Sequence, residues 1–389
     1  MSAGHLRPRG KTSWELKFDA GRDPAAGKRK IQYVSFRGTK RQAQVKLAEL
    51  IAAVGGGTYV EPSKLTVAEH VRTRIDHWEA SGAISARTAQ RYRQLADGQI
   101  VPHIGARLLQ KLTTIDIEAW HVALRTSGRR RGGGGVSSRT VVHAHRVLSH
   151  AFDDAARHGV VPRNVAKLQP PPKVQAGEMV ILRGDEVGAL ITQLRGHAMY
   201  APAIVALFTG MRLGEILGLR WRNVDLNSAK TISVREAVEE TKAYGIRFKA
   251  PKTKAGRRDI SLPDIIVETL REHRRQQLEV RVALGLGKPA ADALVFPALD
   301  GGPQRPSAVS RAWGIAAAAL GLANITLHAL RHSHTSQLID AGVDIVTISK
   351  RLGHASPDVT LRVYAHLFRR DDGKAAAAIN AALAGPAAV

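Results

Sequence analysis

Six residues in the second half of the chain have types and spacing suited to one kind of chemistry. Arg212 lies in FTGMRLGEILGLRW and Lys252 in KAPKTKAGRRDISLP. His328 and Arg331 lie in LHALRHSHTS, and His354 and Tyr364 in KRLGHASPDVTLRVYAH. Two arginines, two histidines and a lysine supply donors for a phosphate, and the tyrosine supplies a nucleophilic oxygen. No acidic cluster with metal-ligand spacing accompanies them. That inventory suits attack on a phosphodiester in which protein cations do the work that Mg²⁺ does elsewhere. Attack spreads negative charge over the nonbridging oxygens. A guanidinium stays charged at any working pH and donates two parallel hydrogen bonds to a phosphate. Arg212 and Arg331 are therefore assigned to a phosphate clamp.

Spacing places these groups on elements. His328 and Arg331 are three apart, which on a helix puts both on one face and within reach of one phosphate. His328, His332 and His334 also raise the question of a metal site. His328 and His332 have helical i, i+4 spacing, but no nearby carboxylate completes a ligand set, so His332 and His334 are read as packing or hydrogen-bonding residues. TGMRLGE puts Arg212 early on a helix between apolar stretches. Ser356 as N-cap and Pro357 at the first helical position start a helix that carries Tyr364. A phenol has a pKa near 10, so surrounding cations must favour the phenolate, and His328 is the expected helper in removing its proton. Lys252 falls in a turn-rich segment between strands, where a lysine can reach a leaving oxygen. Its neighbours Lys249 and Lys254 are candidates for backbone phosphates.

The rest of the chain must position this set. It has 389 residues, 44% of them hydrophobic, enough for two or three domains with real cores. The formal charge of +25 points to a polyanionic partner. No apolar run approaches the roughly 18 residues that span a bilayer, and the N-terminus has charges but no apolar signal core. A soluble, cytoplasmic protein is expected. The absence of cysteine excludes disulfides and thiolate metal sites.

Three blocks follow from periodicity. Residues 1–57 carry twelve Lys/Arg against four Asp/Glu. SWELKFDA and KIQYVSFRG read as strands, and TKRQAQVKLAELIAAV as a helix capped by Thr39. Residues 64–172 read as four amphipathic helices with basic faces, the first capped by Thr66 with Glu69 at capping-box spacing. A stiff proline-rich stretch, Pro162 to Pro172, ends this block. Between its third and fourth helices lies GRRRGGGG, whose Arg129, Arg130 and Arg131 are candidate phosphate contacts. Residues 175–389 read as helices around three short strands, KTISVREAVEE, GIRFKAP and RRDISLP, with an Ala-rich helix in the tail.

The order Arg, Lys, His-x-x-Arg, Gly-His, Tyr, with its local strings TGMRLGEILGLRW, PKT, LRH-HTS and LGH-S, resembles the tyrosine recombinases of the phage-integrase type. The catalytic resemblance covers roughly residues 175–370. It implies a mainly α fold with small β-sheets: an N-terminal arm-binding sheet plus helix, a helical core-binding domain, and a mixed α+β catalytic domain. Tyr364 would form a 3′-phosphotyrosyl link and free a 5′-hydroxyl, with Lys252 as the acid, His354 a donor to the phosphate, and Glu215 orienting the catalytic groups. No cofactor and no metal are implied. The partners implied are double-stranded DNA at core and arm sites, the protein itself as a tetramer on DNA, a host DNA-bending protein and an excisionase. The setting implied is the nucleoid of a bacterial host. Type IB topoisomerase-like strand cutting and an inactive DNA-binding regulator are the competing functions.

Overall fold

The computed structural model describes residues 4–22, 28–129, 132–175, 179–251 and 253–367, together with Ala376, Ile379, Asn380 and Leu383. Contacts divide the chain into two compact units, Met1–Ala176 and Gly177–Val389.

In the first unit, β1 (His5–Gly10), β2 (Ser13–Arg22) and β3 (Arg29–Arg37) form an antiparallel sheet in chain order. Alternation on β2 turns Leu16 and Phe18 inward, where Ala43 and Leu47 of α1 (Lys40–Gly55) cover them. Lys17 points outward, opposite both His5 and Tyr33, and its ammonium lies 5.7 Å from the Tyr33 ring centre. The expected Thr39 cap forms a full capping box with Gln42. β1 was not expected: HLRPRG has one aliphatic residue, Leu6, and shows no alternation, yet Leu6 pairs opposite Leu16.

The same unit continues with α2 (Val67–Ala80), α3 (Ala86–Leu95), α4 (Val101–Ile104), α5 (Thr114–Ser127), α6 (Ser138–Arg157) and α7 (Val165–Leu168). The four expected helices are α2, α3, α5 and α6. A π-helical turn, Ala96–Ile100, carries α3 into the short α4. Thr66 caps α2: its N–H donates to Glu69 Oε2 at 2.9 Å, and Glu69 N–H donates to Thr66 Oγ1 at 3.2 Å. Along α6 the buried Val141, Ala144, Leu148, Ala151 and Ala155 follow helical spacing and face a core with Trp78 and Trp120. Arg129 is exposed, and Arg130 and Arg131 lie outside the described residues.

The second unit is built around α9 (Tyr200–Thr209), which follows α8 (Gly184–Gln193). YAPAIVALFT is apolar on nearly every side and accordingly central, with Ala203 to Leu207 all buried. After α10 (Leu213–Leu217) come β4 (Val224–Asp225), β5 (Thr231–Val234), β6 (Ala237–Thr241), β7 (Gly245–Lys249) and β8 (Arg258–Ser261). The strand expected over KTISVREAVEE is two strands in two sheets: β5 joins an antiparallel β4-β5-β8 sheet, and β6 pairs with β7. The break falls at two adjacent charges with different partners. Arg235 donates to Asp259 at 2.6 Å, and Glu236 accepts from Arg220.

Helices α11 (Asp264–Ala283), α12 (Pro306–Ala319), α13 (Leu327–Asp340), α14 (Ile345–Leu352) and α15 (Pro357–Tyr364) complete the unit. α13 packs against α9. The buried Ile339, Ile348, Leu352 and Tyr364 form a separate small cluster among α13, α14 and α15. In the tail, Ala376, Ile379, Asn380 and Leu383 are helical and exposed, and the rest of the expected Ala-rich helix lies outside the described residues. No described helix is long and apolar enough to cross a membrane.

Candidate active site

Arg331 is the hub. It lies on α13 and is 2% exposed. An unpaired buried guanidinium would be prohibitive, so its partners decide whether it can exist there. One terminal nitrogen donates to the Gly210 carbonyl. The other donates to the Leu352 carbonyl at 2.9 Å and to His354 Nε2 at 3.0 Å. Both carbonyls stand at helix C-termini, α9 and α14, where backbone oxygens lack helical partners and the helix end is negative. Each helix ends on a left-handed glycine. Gly210 has φ 66° and Gly353 has φ 67°. A Cβ on Gly210 would lie 2.7 Å from His334, and one on Gly353 2.7 Å from the Arg258 guanidinium, so both conformation and space require glycine. Burial first, then Arg212, bring the Arg331 pKa down to about 9, which leaves it charged at neutral pH. Among the described residues three of its five N–H groups are used.

Arg212 is the N-cap of α10, two residues beyond Gly210, and its side chain is 43% exposed. The position early on a helix matches the sequence expectation. Its Nη1 donates to Glu215 Oε1 at 3.0 Å, and its backbone N–H donates to Glu215 Oε2 at 2.9 Å. Glu215 is buried, and its other partner is Arg258, whose Nη2 donates to Oε2 at 2.9 Å. Burial pushes the Glu215 carboxyl up, but the Arg258 hydrogen bond and charge, with Arg212, outweigh it and hold the group below the ordinary carboxylate value. A buried carboxylate between two arginines orients Arg212 while leaving its outer face open.

Arg258 was not singled out from the sequence. It is buried on β8, and its Nε donates to the Arg351 carbonyl at 2.6 Å. It thus ties the sheet to the turn that holds His354. The signal was available: in RDIS, strand alternation puts Arg258 on the same face as Ile260, so an arginine occupies an apolar phase.

His354 follows the α14 terminus. Its Nε2 faces Arg331, and its Nδ1 lies 2.7 Å from the hydroxyl of Thr360, which is buried on α15. The hydroxyl both accepts and donates, so it serves either ring tautomer. Nε2 accepts from Arg331 in this structure. With the proton moved to Nε2, the ring becomes a donor. Burial, then Arg331, Arg212 and Arg258, lower the His354 pKa to about 4.

His328 is exposed on α13. Partial desolvation of its ring, then Arg331 and Arg212, keep it below the usual histidine value. Its ring stands edge-on to His332, with centroids 4.7 Å apart. Tyr364 ends α15 and is 2% exposed. Its hydroxyl lies 2.6 Å from His332 Nδ1, while the described residues contain no hydrogen bond between His328 and Tyr364. Burial raises the phenol's pKa, with a Thr335 hydrogen bond and Arg331 opposing. His334 is structural: its Nε2 accepts from Arg351 Nε at 3.1 Å, and Arg351 also donates to the Phe208 carbonyl at 3.0 Å.

The structure thus gathers Arg212, Glu215, His328, Arg331, His354 and Tyr364 in one unit. Lys252 lies outside the described residues. Lys249 is paired with Glu239, which also accepts from Arg247 at 2.9 Å, and Lys254 is exposed in a short turn after Thr253.

One buried and two half-buried histidines of this site predict a pH dependence of stability. Folded pKa values lie near 4 for His332 and His354 and near 3 for His334, against 6.5 for an ordinary histidine. Below about pH 6.5 the unfolded chain binds protons that the folded chain refuses, so stability falls with pH down to about pH 4 and is insensitive to these groups above 6.5. Thermal unfolding across that range should show Tm falling on the acid side. His334→Gln should flatten the slope.

The family model described as the phage integrase family matches residues 181–370. An integrase of Streptomyces ambofaciens is 30% identical over 363 residues, 92% of this chain and 90% of that protein. The chain belongs to the phage integrase family. It is a site-specific recombinase, of the enzyme class that cleaves and rejoins DNA strands. A XerC-like tyrosine recombinase of Caldanaerobacter subterraneus is 23% identical over 95% of this chain and 96% of its own length. Among solved structures, the Tn1549 transposon integrase in complex with a circular intermediate DNA superposes with a TM-score of 0.67 at 18% identity. It covers 82% of this chain and 99% of that one. That likeness bears on the fold, mainly helical with small antiparallel sheets. The topoisomerase and inactive-regulator readings are not favoured.

Proposed function

We propose that this recombinase cuts DNA by attack of the Tyr364 hydroxyl on a phosphodiester held by Arg212 and Arg331, forming a 3′-phosphotyrosyl link and freeing a 5′-hydroxyl. The observation that carries the reading is the Arg331 hub. One buried cation draws the ends of α9 and α14 together beside Arg212, His328 and His354, and Tyr364 packs on the same helix. Positive groups in a partly desolvated site stabilise the pentacovalent charge without rearranging. The covalent link retains the bond energy, so rejoining requires no nucleotide cofactor. Lys252 is the acid for the leaving 5′ oxygen. His354, as its Nε2–H tautomer, donates to a nonbridging oxygen.

The Met1–Ala176 unit supplies DNA contacts. Its helices bear on the core site, with Arg129 to Arg131 near phosphates. The outward sheet face, with His5, Lys17 and Tyr33 in one row, bears on a more distant arm site. Lys249 and Lys254 are backbone contacts. The working form is a tetramer on two sites, and the reaction integrates or excises a mobile element. A host DNA-bending protein and an excisionase are the expected accessory factors.

The test is covalent trapping. The protein is incubated in EDTA with attachment-site DNA nicked so that a short 5′-hydroxyl fragment diffuses away. The adduct is then mapped by mass spectrometry. A denaturant-resistant adduct on Tyr364 is expected. An adduct on another residue, or none on DNA that the protein binds tightly, overturns the assignment.

A further inference from the structure

We propose that His332, one turn from His328 on α13, is the base that takes the Tyr364 proton during attack. This rests on the reading of Tyr364 as the nucleophile. The phenol is buried, so bulk water does not reach it, and among the described residues it has two polar neighbours. One is the Thr335 hydroxyl, an alcohol and not a base. The other is His332 Nδ1 at 2.6 Å, within the distance at which a base must stand to receive a proton. His328, the histidine expected from the sequence to take this proton, stands edge-on to the His332 ring and is exposed beside Arg331. It is thereby left to face the phosphate.

The proton balance closes on the protein. With His332 neutral and protonated on Nε2, the phenol donates to Nδ1. As the Tyr364 oxygen bonds to phosphorus, the phenolic proton moves to Nδ1 and gives an imidazolium. The P–O5′ bond breaks, and the departing oxygen takes a proton from the acid assigned to Lys252. In rejoining, the 5′-hydroxyl attacks, its proton returns to that acid, and the imidazolium gives its own back to the phenol.

The surroundings make this base conditional on DNA. Among the described residues the groups that act on His332 are His328 and Arg331 on its own helix and Tyr364 on α15. Burial first, then His328 and Arg331, lower its pKa to about 4, while burial raises that of the phenol. In the free protein the proton therefore stays on oxygen. A phosphate seated on Arg331 offsets that cation's repulsion and raises the basicity of His332 when there is something to attack.

Adduct formation on nicked attachment-site DNA, measured in a single turnover from about pH 5 to about pH 9, tests the proposal. Wild type, His332→Ala, His332→Asn and His328→Gln are compared. The Asn amide oxygen can accept from the phenol where Nδ1 did, so that variant keeps the hydrogen bond without the basicity. Both His332 variants should bind DNA normally and react about 100-fold slower or worse. Their rates should climb with pH toward the phenol's own ionisation, and added imidazole should partly restore His332→Ala. A His332→Asn rate within about threefold of wild type, or a wild-type pH profile at reduced amplitude without imidazole rescue, would make His332 a positioner and overturn the proposal. The same holds if His328→Gln alone loses the pH limb. A wild-type adduct that does not map to Tyr364 overturns the parent assignment instead.

Discussion

Tyr364→Phe should bind attachment-site DNA as wild type does and form no covalent adduct. Recombination should fall by at least about 10⁴-fold if Tyr364 is the nucleophile as proposed, because phenylalanine has no oxygen to attack with. The change is small in packing terms. The ring stays in its cluster with Ile339, Ile348 and Leu352, and only the hydroxyl is lost. That loss leaves His332 Nδ1 without its partner, a cost of about 1 kcal/mol. Tm should therefore move by only a few degrees, on the order expected for a domain this size. Together these readouts separate the explanations. Lost DNA binding would point to a site distorted by the substitution. Strand transfer retained at more than about one part in 10³ would refute the nucleophile assignment outright.

Much of this was legible in the sequence. Residues that carry chemistry stand out by type, and cap signals such as Thr66 with Glu69 act over one turn, so sequence alone contains them. What escaped was decided by the approach of one element to another. His328 and His332 sit on the same face of α13, and spacing cannot say which of them meets a phenol arriving on α15. The structure gives that contact to His332. Thr360 escaped for the same reason, since its value lies in facing His354 across a turn. β1 escaped because its partner strand, more than its own composition, makes it a strand. Arg258 is the instructive case, because strand alternation did mark it, and a charge in an apolar phase implies a buried partner that remains to be found. That partner, Glu215, lies 43 positions away in the chain.

The second large effect separates the two arginines proposed to hold the phosphate. Arg331→Ala should abolish cleavage, by about 10³-fold or more, and also destabilise the protein. It removes a buried cation and strands the Gly210 and Leu352 carbonyls and His354, a cost of about 3–5 kcal/mol. Arg212→Ala should lose comparable activity at little cost in Tm, because its side chain is 43% exposed and Glu215 keeps Arg258 as a partner. Arg331→Lys is the decisive comparison. A lysine restores the charge and one of the carbonyl contacts but not the planar fork, so stability should recover more than activity does. Adduct formation on nicked DNA and thermal unfolding, measured on the same preparations, read out both. A wild-type Tm for Arg331→Ala would mean that the helix-end carbonyls do not depend on this cation. Wild-type cleavage by Arg331→Lys would mean that the phosphate needs a positive charge there and no particular geometry, and the clamp would then have to rest on Arg212.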